Sequence, residues 1–136
     1  MKNSLQPGIS KVRRLTVDRD RTISFMGEEG RVYATPSLLR DIEHTCRDLL
    51  REHADSGEDS VGLEVVLRHT APALLGSDVE ITVKVTGVEG RKVTFEVSAK
   101  DSIEPIGGGT HTRFVVDVAK SQERLKAKAS KLGAHR

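Results

Sequence analysis

Residues 78–101 read DVEITVKVTGVEGRKVTFEVSAKD, and this stretch decides the fold class. Hydrophobic side chains occupy every second position in two runs, residues 79–85 and residues 93–99. That spacing is the period of a strand with one buried face. The glycine-containing sequence GVEG (87–90) lies between the two runs. The pattern therefore predicts an antiparallel hairpin with its turn at 87–90.

The same period appears on both sides of this hairpin. In residues 62–69, GLEVVLRH, the inward positions predicted by the alternation are Leu63, Val65, Leu67 and then His69. Proline at position 72 ends that run, because proline cannot donate to a strand ladder. Two further segments are expected to be extended, residues 11–17 and a short piece after them, and residues 26–34 are expected to form a loop or lid.

The last predicted strand lies within residues 110–120, THTRFVVDVAK. Its alternation places Phe114, Val116 and Val118 on the apolar side and Arg113 on the opposite side. The glycine-rich sequence IEPIGGG (103–109) before it is expected to break the chain between strands.

One long helix is predicted between the first strands and the hairpin. Thr35 is a preferred N-cap residue and Pro36 suits the first helical position, and the helix is expected to end at about His53. Its apolar stripe consists of Leu38, Leu39, Ile42, Cys46, Leu49 and Leu50. A helix with one apolar stripe requires a sheet to bury it. The predicted class is α+β, a curved antiparallel sheet of five to six strands wrapped around one helix, with subunit pairing to protect the sheet.

Length and charge limit the possible classes of protein. The 136 residues suit one domain, which we place at residues 1–120, followed by a basic C-terminal tail at 121–136 that is either a frayed helix or disordered. Residues 120–136 carry a net charge of +5 and the rest of the chain −3. With three Phe, one Tyr and no Trp, few side chains could stack on bases, so nucleic acid is not an expected partner. No apolar run is long enough for a signal peptide or a membrane span, and we expect a cytoplasmic protein with no membrane partner.

Strong catalytic motifs are missing from the sequence. There is no phosphate-binding loop, dinucleotide fingerprint or nucleophile elbow, and no His/Cys spacing typical of zinc, so no metal site is expected. Four residues remain. Glu43 and Asp41 lie at opposite edges of the helix stripe, where either could be a partly desolvated base or a boundary residue reaching water. His69, at a strand end, could be a general base or a packed core residue, and Thr35 a cap or a ligand contact.

Four segments together are similar to a known family. They are ATPSLLRDIEHTC (34–46), VGLEVVLRHTAPALLG (61–76), VEGRKVTFEVSAKD (88–101) and IGGGTHTRFVV (106–116). In order and spacing they resemble the hot-dog-fold acyl-CoA thioesterases, in particular the fluoroacetyl-CoA thioesterase-like group, over roughly residues 8–120. The resemblance implies a hot-dog fold, a homodimer or a dimer of dimers, and hydrolysis of a small acyl-CoA or acyl-carrier thioester.

The same resemblance implies roles for particular residues. The family's catalytic threonine, carboxylate and histidine fall on Thr35, Glu43 and His69, in a site at a dimer interface, which favours Glu43 over Asp41. Its acyl-contacting glycine and arginine fall on Gly62 and Arg113. Coenzyme A is implied as part of the substrate, with no other cofactor.

Two other functions remain open on the same fold. One is a non-catalytic protein that binds an acyl-CoA or another small molecule, and the other is a hydratase or dehydratase. The segment before Thr35, SFMGEEGRVYA (24–34), carries glycines and acids where the fluoroacetyl-specific group is rich in aromatic residues. A related acyl-CoA, or an acyl group on a carrier protein, is therefore expected at least as much as a fluoroacetyl group.

Overall fold

A computed structural model describes residues 1–134 of the chain. The strands are β1 (Ser10–Thr16), β2 (Thr22–Ile23), β3 (Val32–Tyr33), β4 (Glu58–His69), β5 (Asp78–Glu89), β6 (Lys92–Asp101) and β7 (Pro105–Asp117). The helices are α1 (Thr35–Glu52) and α2 (Val118–Ala134), with short 3-10 turns at Arg19–Arg21 and Glu28–Gly30.

Five strands form one antiparallel sheet in the order β1-β5-β6-β7-β4. The inward side chains of β5 and β6 are almost fully buried against α1, because each strand places every second side chain on the helix side. The predicted α+β class is confirmed. β4 lies at one edge of the sheet, and no other strand within residues 1–134 pairs with its outer side.

The predicted hairpin is confirmed, but its turn is later than expected. β5 continues to Glu89, and the chain reverses at Gly90 and Arg91. A register shift between Val85 and Gly87 adds one residue to β5, so the strand extends through the sequence that was predicted to turn. Gly90 has φ +60°, a backbone conformation that suits a two-residue hairpin turn.

Helix α1 starts one residue earlier than the sequence predicts. Ala34, not Thr35, is the N-cap residue, and it makes no side-chain capping bond. Thr35 is the first helical residue, so the prediction that it caps the helix is wrong. Its hydroxyl is hydrogen-bonded to another part of the chain, as described below. The helix ends at Glu52, with His53 as its C-cap, which agrees with the prediction.

The predicted inner face of β7 is wrong. His111, Arg113 and Val115 point toward α1 and are buried, whereas Phe114 is 37% exposed. Val118 is not in the strand at all but begins α2. Alternation assigned the apolar residues to the core, but here the helix side of the strand contains a polar cluster. Arg113 and Phe114 point to opposite faces of β7, as predicted, but the face of Arg113 is the one that faces α1.

The predicted break at 103–109 is also wrong in part, since β7 begins at Pro105 and includes the three glycines. The two strands approach closely here. A methyl group at Gly107 would lie 2.7 Å from the carbonyl oxygen of Arg68, and one at Gly109 would overlap that of Val66. Glycine at these positions allows β7 to pair with β4 along its whole length.

Strand β4 contains a bulge that changes which residues face inward. It begins at Glu58, four residues before the predicted start, and its pairing with β7 shifts register between Gly62 and Glu64. Leu63 is the extra residue and is 57% exposed, so its predicted inward position is wrong. Ser60 is buried, and a methyl group at Gly62 would contact groups inside the protein.

The segment between β1 and α1 is fixed to the helix by a buried carboxylate. The Tyr33 hydroxyl donates to Asp41, and the Arg21 guanidinium donates to the two Asp41 oxygens over 2.8 and 3.3 Å. Asp41 is 4% exposed and Tyr33 1%. We call Arg21, Tyr33 and Asp41 the Asp41 cluster; it joins the predicted lid region to α1.

Residues 118–134, which include most of the predicted basic tail, form the helix α2, and none of them is buried. Residues 135 and 136 of that tail lie outside the described part of the chain. Within residues 1–134, no helix is both long enough and apolar enough to span a membrane.

Candidate active site

Thr35 and His69 form the first part of the candidate site. Thr35 begins α1, and His69 is the last residue of β4. The Thr35 hydroxyl oxygen lies 2.7 Å from Nδ1 of His69. The hydroxyl bonded to His69 is therefore the group that the sequence had suggested as a helix cap.

The second nitrogen of His69 has no partner. Nε2 is buried and makes no hydrogen bond with any group in residues 1–134. A buried polar atom without a partner is uncommon in proteins and often marks a functional position. If Nδ1 accepts the threonine O–H, Nε2 carries a proton that it can donate. If Nδ1–H donates to the threonine oxygen, Nε2 is a base.

Burial lowers the pKa of His69 below its usual value of 6.5, because desolvation penalises the imidazolium form. At neutral pH the ring is therefore mostly uncharged. An uncharged imidazole can accept a proton from water, which suits a general base.

Glu43, Gly62 and Arg113 form the second part of the site. A methyl group placed on Gly62 would lie 3.3 Å from Oε1 of Glu43 and 3.8 Å from Nη1 of Arg113. These distances show that the carboxylate, the guanidinium and the glycine backbone surround one small space. Because glycine has no side chain, that space can admit part of a ligand.

The Arg113 guanidinium is fixed from behind by two residues. Nε donates to the Ser60 hydroxyl over 2.8 Å and Nη2 to the Ser60 carbonyl over 2.9 Å. Nη1 lies 3.3 Å from Nε2 of His111. Arg113 is 6% exposed, and burial lowers its pKa. None of these bonds goes to Glu43, so one side of the guanidinium remains available on the Gly62 side.

Two residues of this cluster, Ser60 and His111, were missed by the sequence reasoning. Ser60 precedes the predicted start of its strand, and His111 occupies a position that alternation assigned to the outer face. The signal was present in the sequence, since His111 and Arg113 are two residues apart and therefore share a strand face. The alternation rule assigned the apolar residues Phe114 and Val116 to the buried face, and this placed His111 and Arg113 on the outer face.

The structure also distinguishes the two candidate carboxylates. Both oxygens of Asp41 are bound within the Asp41 cluster, whereas Glu43 lies half-buried beside Gly62. The Asp41 carboxylate is therefore engaged in structural hydrogen bonds through both of its oxygens. Within residues 1–134, no three His, Cys, Asp or Glu side chains are grouped so that they could hold a metal ion.

The two parts of the site are far apart within one chain. Thr35 and Glu43 are eight residues apart on α1, which is about 12 Å along a helix. Gly62 and His69 are seven residues apart on β4, which is about 20 Å along a strand. The chain therefore contains a Thr35–His69 half-site and a Glu43–Gly62–Arg113 half-site.

Comparison with known proteins identifies the family. The model of the fluoroacetyl-CoA-specific thioesterase family matches residues 17–119. A fluoroacetyl-CoA thioesterase of Streptantibioticus cattleyicolor is 33% identical over 97 residues, which are 71% of this chain and 70% of the relative.

Solved structures show the same likeness. The fluoroacetyl-CoA thioesterase FlK superposes with a TM-score of 0.83 at 28% identity, covering 91% of this chain and 97% of FlK. A hot-dog-like protein from Thermanaerovibrio acidaminovorans has a TM-score of 0.83 at 28% identity, covering 90% of this chain and 91% of its own. The expected hot-dog fold is thus confirmed. The chain belongs to the fluoroacetyl-CoA-specific thioesterase family and is a thioesterase with the hot-dog fold.

Proposed function

We propose that this thioesterase hydrolyses a small acyl-CoA, and that each active site combines the Glu43 half-site of one chain with the Thr35–His69 half-site of another. The observation that carries this proposal is the separation of the two half-sites along β4. Glu43, His69 and Thr35 must all reach one thioester group if they act together. Within one chain, Glu43 lies beside Gly62, whereas Thr35 and His69 meet at the far end of β4.

The edge position of β4 supports a homodimer that solves this problem. Its outer edge is unpaired within residues 1–134, and it exposes Val61, Leu63 and Val66. An unpaired edge with apolar side chains favours pairing with another strand. If two β4 strands pair antiparallel about a two-fold axis near residues 65–66, Gly62 of each chain lies opposite His69 of the other.

The reaction in such a shared site follows from the groups present. The Glu43 carboxylate attacks the thioester carbonyl carbon, or it removes a proton from a water that attacks. The carbonyl oxygen becomes negatively charged, and donors near Gly62 and Arg113 stabilise it. The C–S bond then breaks and coenzyme A leaves as the thiolate, which takes up the proton that Glu43 or the neutral His69 ring removes from the attacking water. If Glu43 attacked directly, water activated by His69 then hydrolyses the resulting anhydride.

Thr35 holds His69 in this scheme. Its hydroxyl fixes the imidazole through Nδ1, so Nε2 points to the reacting group. General acid–base catalysis of this kind is typically worth about 10²–10⁴-fold in rate. The reaction needs no cofactor beyond the coenzyme A of the substrate, and we place it in the cytoplasm.

The acyl group is small in this proposal, because Glu43, Arg113 and the Gly62 backbone enclose little room between them. Two of the relatives named above are fluoroacetyl-CoA thioesterases. The expected lid segment before Thr35 carries the glycines and acids noted above, and in it Phe25 is 88% and Met26 83% exposed. We therefore include short unsubstituted and branched acyl groups, and acyl carrier protein thioesters, among the candidate substrates.

A panel of thioesters tests the function directly. Acetyl-, fluoroacetyl-, propionyl-, isobutyryl- and phenylacetyl-CoA are incubated with the protein, and release of free thiol is followed by absorbance. We expect turnover of at least one short acyl-CoA well above the uncatalysed rate. Binding by calorimetry without any turnover would instead show a non-catalytic acyl-CoA-binding protein. An enoyl-CoA is assayed alongside the panel, and its hydration without thiol release would show a hydratase.

A further inference from the structure

His111 is a buried histidine for which the reaction described above has no role. It is 1% exposed and lies on β7 between the Arg113 guanidinium and the β4 backbone. Nδ1 is 2.8 Å from the carbonyl oxygen of Glu64, and Nε2 is 3.3 Å from Nη1 of Arg113. Its ring also stacks on Phe95 with 6.4 Å between ring centroids.

The two partners fix one protonation state of the ring. A carbonyl oxygen can only accept a hydrogen bond, so Nδ1 must carry a proton. A guanidinium can only donate, so Nε2 must be unprotonated and accept. Together they require the neutral ring with its proton on Nδ1. Burial and the nearby charge of Arg113 lower the pKa of His111, which agrees with a neutral ring.

This bond determines which Arg113 hydrogens remain free. Ser60 accepts from Nε and Nη2, and His111 accepts one of the two hydrogens on Nη1. The second Nη1 hydrogen has no acceptor among these residues. Nη1 lies 3.8 Å from the position a methyl group on Gly62 would take, so a free donor is held next to the space beside Glu43.

We propose that His111 is a positioning residue for thioester hydrolysis, which holds the Arg113 guanidinium so that one Nη1–H points at the acyl carbonyl. This inference rests on the proposed function. Cε1 of His111 borders the same space, 3.4 Å from the position a methyl group on Gly62 would take, but both ring nitrogens are engaged with Glu64 and Arg113, so the polar atoms of His111 act through Arg113. Without the Nε2 acceptor, the planar guanidinium is held along one edge only, by Ser60, so it can tilt about that edge and the oxyanion loses an aligned donor.

Two substitutions separate this role from simple core packing. In His111→Gln the side-chain amide oxygen can take the place of Nε2 and accept from Arg113. In His111→Asn the shorter amide can take the place of Nδ1 and donate to Glu64, but it leaves Arg113 without its acceptor. Both remove the ring from its contact with Phe95, and asparagine fills less volume than glutamine. A packing effect is therefore recognised by its persistence in a protein that lacks Arg113.

The expected result is a difference in kcat between these variants. His111→Asn should lower kcat for the best substrate of the panel by about tenfold to a hundredfold, and His111→Gln should restore most of the loss. In a protein that already carries Arg113→Met, His111→Asn should cause little further loss, because the group it positions is gone. Circular dichroism gives the folded fraction, and rates are compared per folded molecule.

Nitrogen NMR of the imidazole gives a readout that does not depend on activity. In the parent protein at pH 7.5 we expect His111 Nδ1 protonated and Nε2 unprotonated. A ring protonated on Nε2 overturns the proposal, as does equal kcat for the parent, His111→Asn and His111→Gln in an enzyme that turns over acyl-CoA. If the parent turns over no thioester, the proposed function fails and this inference fails with it.

Discussion

Glu43 and His69 are the two residues whose removal should affect the chemistry most. Glu43→Gln keeps the size of the side chain but removes its charge, and His69→Ala removes the only imidazole in the Thr35 half-site. We expect each change to lower turnover at least about tenfold with little change in the free energy of unfolding, because both side chains are only half-buried. Thiol release and thermal unfolding measure the two effects.

Matched controls for these variants are available on exposed helix positions. Glu123→Gln on α2 and His44→Ala on α1 make the same chemical changes at solvent-exposed sites. Both should leave turnover and stability unchanged. If His69→Ala unfolded the protein but retained its turnover per folded molecule, His69 would be a core residue and not a catalytic one.

Thr35 offers a test of a single hydroxyl group. Thr35→Ser keeps the hydrogen bond to His69, whereas Thr35→Val keeps the shape and removes it. We expect the valine variant to lose about tenfold in kcat, the usual worth of one hydrogen bond, and the serine variant to stay close to the parent. Equal rates for all three would show that the 2.7 Å contact does not support catalysis.

His69 and His111, which are both partly or fully desolvated, should make the protein less stable in acid. Burial lowers the pKa of His69 and of His111 below 6.5, so between those lowered values and 6.5 the unfolded chain binds more protons than the folded one. Stability contributed by each neutral ring is therefore lost as the pH falls from about 6.5 through this window. The slope is at most about 1.4 kcal/mol per pH unit for each ring.

Urea unfolding at a series of pH values between 7.5 and 5 measures this slope. His111→Gln cannot be protonated and should have a shallower slope than the parent. An identical slope in the two proteins would show that His111 does not titrate in this range.

At the scale of elements, the Asp41 cluster should stabilise the connection between the lid region and α1. Tyr33→Phe removes a hydroxyl that donates to a buried carboxylate, which should lower the free energy of unfolding by about 1–3 kcal/mol. Turnover per folded molecule should change less than in the Glu43 and His69 variants, since Asp41 is not in either half-site. A loss of kcat as large as theirs, without loss of stability, would place the cluster in the active site.

The elements differ in how well the sequence predicts them, and the reason is physical. The β5–β6 hairpin and α1 bury apolar side chains on one face, so periodicity locates their inner faces correctly. β7 buries the polar residues His111 and Arg113 instead, which belong to the candidate site. Hydrophobic alternation therefore predicted the wrong buried face for β7.

The predicted inner face of strand β4 was wrong at Leu63 for a different reason. The bulge at Leu63 inserts one residue, which no local pattern in GLEVVLRH indicates.

Glu43 shows why the sequence pattern alone could not identify a single site residue. The helical wheel placed Glu43 and Asp41 at equivalent edges of α1, and the family resemblance favoured Glu43. The partners that distinguish them, Arg21 and Tyr33 on one side and Gly62 on the other, are distant in sequence.

For the whole molecule, the proposed sharing of half-sites between chains predicts that activity depends on assembly. Within one chain, Glu43 lies beside Gly62 near one end of the exposed edge of β4, and His69 lies at the other end. We expect a dimer by sedimentation equilibrium, and a turnover rate per chain that falls when dilution separates the subunits. A fully active monomer would contradict a site shared between chains.

The most direct test of a shared thioesterase site is a mixed dimer of Glu43→Gln and His69→Ala chains, purified through two different affinity tags. One of its two sites then carries both substitutions, while the other combines an intact Glu43 with an intact Thr35 and His69. A site shared between chains should give this heterodimer about half the parent turnover per dimer, although each homodimeric variant is nearly inactive. A heterodimer no more active than the two variants would contradict it, because each site would then belong to one chain.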